Sequence, residues 1–377
     1  MATRITTKTS ITGHGVWHPE TVLDNAELCA AFNEFVRRDN ARNAAAIAAG
    51  TQPALLESTP EWVVKASGIV KRYVEDKTGL LDPERMCPNI ADRPEDRLSI
   101  QAEYAVHAAR RALAAAGRAG EEVDLVVLGC SNLARMYPAI AIEVQHALGA
   151  RGHAFDVALA CSAATWATQL ASQAVRLGDA QCALVVIPEL TTAHMNWRER
   201  DSHFIFGDAA GALVVEPTER ARPGAWEILS VRMASKWSNN IRNNDGYLAR
   251  ADPRTEHGID KLFHQHGRRV FKEVVPMASK FIVDHVAAHD LTPGQIARYW
   301  LHQANRNMNE LIAARVLGRE ATADEAPIIL HEYGNTASAG SLIAFSEHSQ
   351  DLPAGSYGML ATYGAGYSLG SMLLQRQ

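Results

Sequence analysis

The chain has no apolar run of about 18 residues, so nothing in it reads as a membrane span. Its opening, MATRITTKTS, lacks the apolar segment that a secretory signal needs. Cysteine is scarce and scattered. Cys29, Cys87, Cys130, Cys161 and Cys182 are odd in number and form no CxxC pair. That argues against a disulfide framework or a zinc site, and for a reducing cytosol. The 15 histidines show no HExxH or other metal-ligand spacing. An excess of positive charge is also lacking. A net charge of -5 gives no electrostatic reason to expect nucleic acid as a partner. What is there is ordinary for a soluble globule: 47% hydrophobic and 21% charged residues. The 377 residues suffice for two domains or one large duplicated one.

Residues 5–17 read as a first strand, closed by His18 and Pro19. Asn25 is expected to cap a helix that begins AELCAAFNEF. The Ala-rich polar segment RRDNARNAAAIAAGTQPALLES follows; its alanines favour helix, Gly50 and Pro53 break it, and it reads as a surface excursion. TPEWVVKASGIVKRYV predicts a capped helix turn, a Gly turn and a β-prone end. Residues 80–97, rich in Pro, Asp and Arg, read as a loop of a length that is usually functional or mobile. A long helix from Ser99 to about Ala116 leads into the strand VDLVVLG, then a loop and a helix with Pro138 in its first turn. AQCALVVIPEL and GDAAGALVVEP read as further strands, and Ser235–Asp260 as a connector or active-site loop.

The pattern then repeats. A helix from about Gln265 to His289 leads to the strand IARYWLH. HQANRNMNELIAARVLG is loop into helix, and APIILHEYGNTASAGSLIAFSEH is apolar run, small-residue turn and helix. SYGMLATYGAGYSLGSMLLQ is strand, turn, strand. Two similar α/β halves are inferred, residues 1–220 and 221–377, with mixed or parallel sheets covered by helices.

The stretch DVALACSAATWATQL carries the first chemical signal. Val157 to Ala160 reads as a buried strand end. Apolar residues recur at helical spacing from Ala163 through Trp166, Ala167, Leu170 and Ala174 to Leu177, and Gly178 and Asp179 stop the helix. Cys161 thus stands where a strand ends and a helix begins, facing free backbone N–H groups and the positive end of a dipole. Both favour thiolate, the nucleophilic form. A buried structural cysteine is the other reading. His302 follows a strand and precedes a helix, and Asn335 sits in a YGNT turn. Each alone reads equally as a cap or a solvated loop residue. In a duplicated fold, equivalent strand ends converge on one crevice and would bring Cys, His and Asn together. A thiolate can take an acyl group from a thioester, and neutral His and Asn N–H groups can steady an enolate. The turn Tyr363–Tyr367 is a hairpin turn or a close-approaching oxyanion donor.

The sequence resembles the β-ketoacyl-acyl-carrier-protein synthase III family of the thiolase superfamily. The matching stretches are DNAEL, EWVVKASGI, FDVALACSAATWA, FGDAAGA, WLHQAN, YGNTASAGS and YGAGYSLG, in order from residue 24 to residue 370. The resemblance implies a five-layered αβαβα fold of two pseudo-equivalent halves, a cytoplasmic homodimer and no cofactor beyond its substrates. It implies that Cys161 takes an acyl group from acyl-CoA and that malonyl-acyl carrier protein then loses CO₂ and attacks the acyl-enzyme. His302 and Asn335 would hold the malonyl thioester carbonyl, and the N–H groups of Cys161 and Ala365 would form the oxyanion hole. Trp62 matches a tryptophan that stacks on the CoA adenine, and Asn305 a water or pantetheine contact. Phe206, Gly207 and Asp208 match a turn near the site. Tyr137 matches a residue that reaches the partner's acyl pocket. Lys65 and Arg306 are the cations left near positions where the family often places basic residues, here Ala66 and Asn307, for CoA phosphates or the carrier.

The excursion at 33–60 and the loop at 80–97 are longer than in acetyl-CoA-primed members, which suggests a medium-chain primer. A degradative thiolase would need a second active-site cysteine, and none follows Cys182. A hydroxymethylglutaryl-CoA synthase would need a catalytic acid, and none stands in the ACSAAT context. The alternative is a thiolase-fold acyltransferase that passes its acyl group to an alcohol or amine.

Overall fold

In the computed structural model, which describes residues 7–243 and 258–377, alternate residues of each central strand feed different cores. On β4 (Leu125–Cys130), Leu125 and Val127 join one cluster, while Val126, Leu128 and Cys130 join another. The first cluster is the middle of the molecule. It packs α6 (Ala163–Leu177) and α10 (Ala339–Glu347) between two sheets. The second packs α4 (Ile100–Ala116) and α5 (Ile140–Leu148) on the outside of the first sheet. A third packs α7 (Gly267–Ala287) and α8 (Arg306–Leu317) on the outside of the other. The result is an αβαβα stack, as the strand and helix alternation predicts.

The strands of the first sheet run β5 (His153–Ala158), β4, β6 (Ala183–Glu189), β7 (Ala209–Pro217), β1 (Thr9–Trp17). The second runs β8 (Trp226–Ser238), β13 (Gly366–Arg376), β12 (Tyr357–Gly364), β11 (Ile296–Leu301). The two sheets join at one corner, where Ser10 and Ile11 pair with Glu227 and Trp226. In each sheet a parallel pair (β4 with β6, β11 with β12) is followed by antiparallel neighbours. Among the described residues, the second sheet has no counterpart of β5. There the apolar run at 327–330 leads into the short α9 (Leu330–Tyr333) instead.

A fourth cluster caps the end where the helices α6 and α8 begin. It gathers α1 (Asn25–Arg42), α3 (Pro60–Ser67), Leu80 and Met86 of the 80–97 loop, and Trp197, Phe204 and Phe206. The short strands β2 (Val22–Asp24) and β3 (Lys71–Tyr73) pair beside it.

Several boundaries differ from the sequence reading. Asp24, not Asn25, caps α1, through a capping box with Glu27. Asn25 is buried instead, donating to the Ile69 carbonyl and accepting from Arg72. α1 continues through RRDNAR to Arg42, and α2 (Ala44–Ala48) follows, so half of the excursion is helical, as its alanines favour. Pro138 precedes α5 rather than lying in its first turn. β5 is half-exposed, not buried, because it ends the sheet and pairs only with β4. β8 takes Ser235–Ser238, and Ile241–Arg242 (β9) pairs with His264–Gln265 (β10). The rest of the expected connector, 244–257, and the strand start at residues 5 and 6 lie outside the described residues.

Helix α4 lies directly on β1 because β1 offers glycine there. A Cβ at Gly13 would sit 2.2 Å from the Ala112 carbonyl oxygen, and one at Gly15 would sit 2.4 Å from that of Ala108. Gly13→Ala should therefore cost about 1–3 kcal/mol by overpacking. A urea titration checks this: the midpoint should fall with the slope unchanged.

Candidate active site

Cys161 occupies a single 3₁₀ turn, Ala160–Ser162, between β5 and α6. Ala160 has φ +46°, a left-handed conformation that costs a non-glycine residue about 1 kcal/mol or more. The turn meets the far end of the chain. A Cβ at Gly364 would lie 2.9 Å from Cys161 Cβ and 3.0 Å from its backbone N, so only glycine lets the last hairpin come this near. Hydroxyls tie the contact. Ser162 bonds Ser368, and Thr165 Oγ1 lies 2.6 Å from Thr362 Oγ1. Ala365 forms the tight turn itself, and its carbonyl accepts from Ser368 Oγ at 2.8 Å.

His302 leaves the end of β11. Its N–H donates to the Ala361 carbonyl at 2.8 Å, and its ring meets the edge of Tyr363 at 5.3 Å. Tyr363 Oη donates to the His302 carbonyl at 3.3 Å and to Asn309 Oδ1 at 3.1 Å. Asn335 is held through its backbone by the other half of the chain. Its N–H donates to Ile205 at 2.9 Å, and its carbonyl accepts from Gly207 at 3.2 Å, forming a bridge with Phe206. Its side-chain Oδ1 accepts from the Ala337 N–H at 2.9 Å. That bond fixes the amide so that Nδ2 is left to donate.

Cys161, His302 and Asn335 line one cavity of about 820 Å³. Gly364, Phe206, Trp62 and Asn305 line it too. The pair at rest is uncharged. Burial, and then the Glu189 carboxylate, push the Cys161 thiol up to about 12. Burial pushes His302 down to about 4. Both shifts oppose the thiolate expected from the helix terminus, because burial disfavours the charged form. A neutral imidazole and a carboxamide remain as hydrogen-bond donors, the forms that suit an enolate oxygen.

Trp62 stands on α3, T-shaped against Phe204, with the Arg200 guanidinium 3.9 Å from its ring centroid. Arg200, not foreseen from the sequence, also donates to the Glu57 carbonyl at 2.9 Å. Asn305 caps α8 through the Met308 N–H and donates to the Ala66 carbonyl at 2.6 Å. It therefore fastens α8 to α3 as well as lining the cavity. Asp208 accepts from Thr192 and from the Glu75 N–H, pinning the turn behind Phe206. Lys65 and Arg306 are exposed on α3 and α8 outside the lining, and Arg306 pairs with Glu310. Tyr137 is 85% exposed and joins no core cluster among the described residues. Glu189 is a second residue the sequence reading missed; its carboxylate is fully buried and accepts from Ser131 and Ser338. Its only sequence signal is a lone acid ending the apolar strand ALVVIPE.

Comparison with known proteins bears on this geometry. The family model for 3-oxoacyl-[acyl-carrier-protein (ACP)] synthase III matches residues 155–236, and the model for its C-terminal part matches residues 286–376. The β-ketodecanoyl-[acyl-carrier-protein] synthase of Pseudomonas aeruginosa is 51% identical over 92% of this chain and 99% of its own length. The β-ketoacyl-[acyl-carrier-protein] synthase III of Rhodospirillum centenum is 32% identical, over 85% of this chain and 92% of its own. The chain belongs to the β-ketoacyl-acyl-carrier-protein synthase III family. It is a condensing acyltransferase of thiolase fold. The crystal structure of 3-oxoacyl-[acyl-carrier-protein] synthase III from Aquifex aeolicus superposes with a TM-score of 0.75. At 24% identity it covers 97% of this chain and 99% of that one, and so supports the fold. Among the described residues, no helix is long and apolar enough to cross a membrane, and no cluster of three metal-ligating side chains occurs.

His302 is not alone in its burial. His14, His194, His203 and His285 are also pushed down to about 4, each chiefly by desolvation. These five take a proton near pH 6.5 when unfolded but not when folded, so their contribution falls as pH drops from 6.5 towards 4. Buried Glu189, Asp208 and Asp156 are raised and act in the opposite sense. Five sites outweigh three, so the synthase should lose stability from pH 7 to pH 5. Thermal unfolding across that range checks it; an unchanged midpoint would contradict neutral burial of the histidines.

Proposed function

We propose that this enzyme condenses a medium-chain acyl-CoA with malonyl-acyl carrier protein. The observation that carries the reading is the convergence of Cys161, a neutral His302 and Asn335 on one cavity, with the Asn335 amide turned so that its Nδ2 is left to donate. The Cys161 sulfur attacks the acyl thioester carbonyl, its bond to the acyl carbon forms, and CoA leaves with the thiol proton. Malonyl-acyl carrier protein then loses CO₂. The electron pair of the broken C–C bond passes into an enolate whose oxygen accepts from His302 and Asn335. The enolate carbon attacks the acyl-enzyme, and Cys161 departs and regains a proton. Backbone N–H groups of Cys161 and Ala365 hold the oxyanion of each acyl-transfer step; the close approach of Gly364 to Cys161 supports that placement.

Trp62 and Arg200 offer a flat cationic stack for the CoA nucleotide, with Lys65 and Arg306 near enough to the α3–α8 rim to meet its phosphates or the acidic carrier. Asn305 and Phe206 wall the pantetheine and acyl path. The primer follows from the similar Pseudomonas protein, whose ten-carbon β-keto product implies an eight-carbon acyl group plus two carbons from malonate. The apolar lining of Phe204, Phe206, Phe263 and Val274 suits such a chain. Residues 1–220 and 221–377 are the two functional halves, one bearing the nucleophile and the other the donors. The five unpaired cysteines favour a cytosolic setting. No cofactor is needed for these steps.

Asn335→Ala should leave acylation of Cys161 by octanoyl-CoA within a few-fold, and slow condensation by about 100-fold or more. Product formation across primers of two to twelve carbons should peak near eight. A maximum at two carbons would overturn the primer assignment. An acyl-enzyme discharged only by alcohols or amines would overturn the condensation.

We further propose a homodimer formed along β5. That strand has a free edge, and exposed Tyr137, Ile142, Leu170 and Leu177 lie on or beside the two helices packed against it. Light scattering should give twice the 41.0 kDa chain mass. Ile142→Arg should shift the protein towards the monomer; a wild-type monomer would refute the interface.

A further inference from the structure

Glu189 ends β6 in the first half of the chain, yet half of its hydrogen bonds come from the second. Ser131, just past β4, donates its N–H at 3.1 Å and its hydroxyl at 2.5 Å. Ser338 donates its N–H at 3.1 Å and its hydroxyl at 2.7 Å. The side chain is fully buried, and no cation pairs with it among the described residues. A buried lone carboxylate is costly and tolerable only when its lone pairs are filled, which these four donors do.

Ser338 lies three residues beyond Asn335. Between them Ala337 stands at φ +44°, and its N–H is the donor that orients the Asn335 amide. The segment is thus strained and carries the group that must meet the enolate. It is anchored at one end by the bridge from Phe206 and Gly207. At the other end its anchor is Glu189. Both anchors belong to the first half, which also supplies Cys161. We infer that Glu189 is a positioning residue that sets the Asn335 segment against the Cys161 turn for the decarboxylation and condensation step, and is dispensable for acyl transfer to Cys161. This rests on the two-step reading above.

Glu189→Gln tests it in the full-length enzyme. The glutamine side chain keeps the size but turns an amine towards a serine N–H, so the four-donor cradle cannot close. The two half-reactions are followed separately. Acylation by octanoyl-CoA is read by intact mass. Condensation is read by rapid quench of preformed acyl-enzyme with malonyl-acyl carrier protein. Glu189→Gln should slow condensation by about tenfold or more while acylation, freed of the carboxylate charge that raises the Cys161 thiol, is not slowed by more than about threefold. Glu189→Asp, which keeps the carboxylate, should recover most of the condensation rate. A structural role alone would depress both steps together and would not be relieved by aspartate.

Where Glu189→Gln fails to fold, Ser338→Ala decides. It removes one of the four donors and should lower the condensation-to-acylation ratio by roughly threefold. An unchanged ratio in the folded variant overturns the assignment. Should the wild-type acyl-enzyme itself not condense, the functional reading fails, and the ratio in the variants is not what refutes it.

Discussion

The site depends on one close contact between backbones. The strand end at Gly364 comes within van der Waals reach of the turn that carries Cys161, and no larger residue fits there. That approach brings the last hairpin and, through the His302 N–H bond to Ala361, the end of β11 to the Cys161 turn. Hydroxyl pairs, Ser162 with Ser368 and Thr165 with Thr362, link the same two surfaces. Neither half holds a complete site. The first supplies the sulfur and the walls at Phe206 and Trp62; the second supplies the donors.

Burial then sets the chemistry. The cavity makes charge expensive, so the thiol and the imidazole rest neutral. A neutral His302 offers a thiolate no ion pair, but an imidazole N–H can donate to an oxygen as negative charge develops. The protein spends strain at Ala160 and Ala337, next to Cys161 and close to Asn335. Such conformations persist because neighbours over-determine them: the Gly364 contact for Ala160, and the Asn335 and Ser338 bonds for Ala337.

Much of this was legible in the sequence where the signal is local. Gly68, Gly117, Gly178 and Gly318 each end a helix in a left-handed conformation, as their places after apolar periodicity imply. The ordered ACS, HQAN and GNT motifs located Cys161, His302 and Asn335, and the cavity brings them together. Errors arose where tertiary contacts decide. Asp24 and Asn25 are both good caps, and the choice falls to Arg72 and Ile69, which claim the Asn25 side chain. The half-exposed β5 could not be told from a buried strand, because its apolar residues look the same at a free edge. Glu189 was invisible because its partners lie 58 and 149 residues away. Arg200 was missed because its stack on Trp62 spans the fold.

The most direct test of the account is a single-turnover experiment on isolated acyl-enzyme. The protein is loaded with octanoyl-CoA, freed of excess thioester, mapped by peptide mass spectrometry and then mixed with malonyl-acyl carrier protein. The account predicts one octanoyl group on Cys161, lost in step with release of CO₂ and appearance of β-ketodecanoyl-acyl carrier protein. An octanoyl group on any other residue, or one that stays on Cys161 while CO₂ is released, would contradict it.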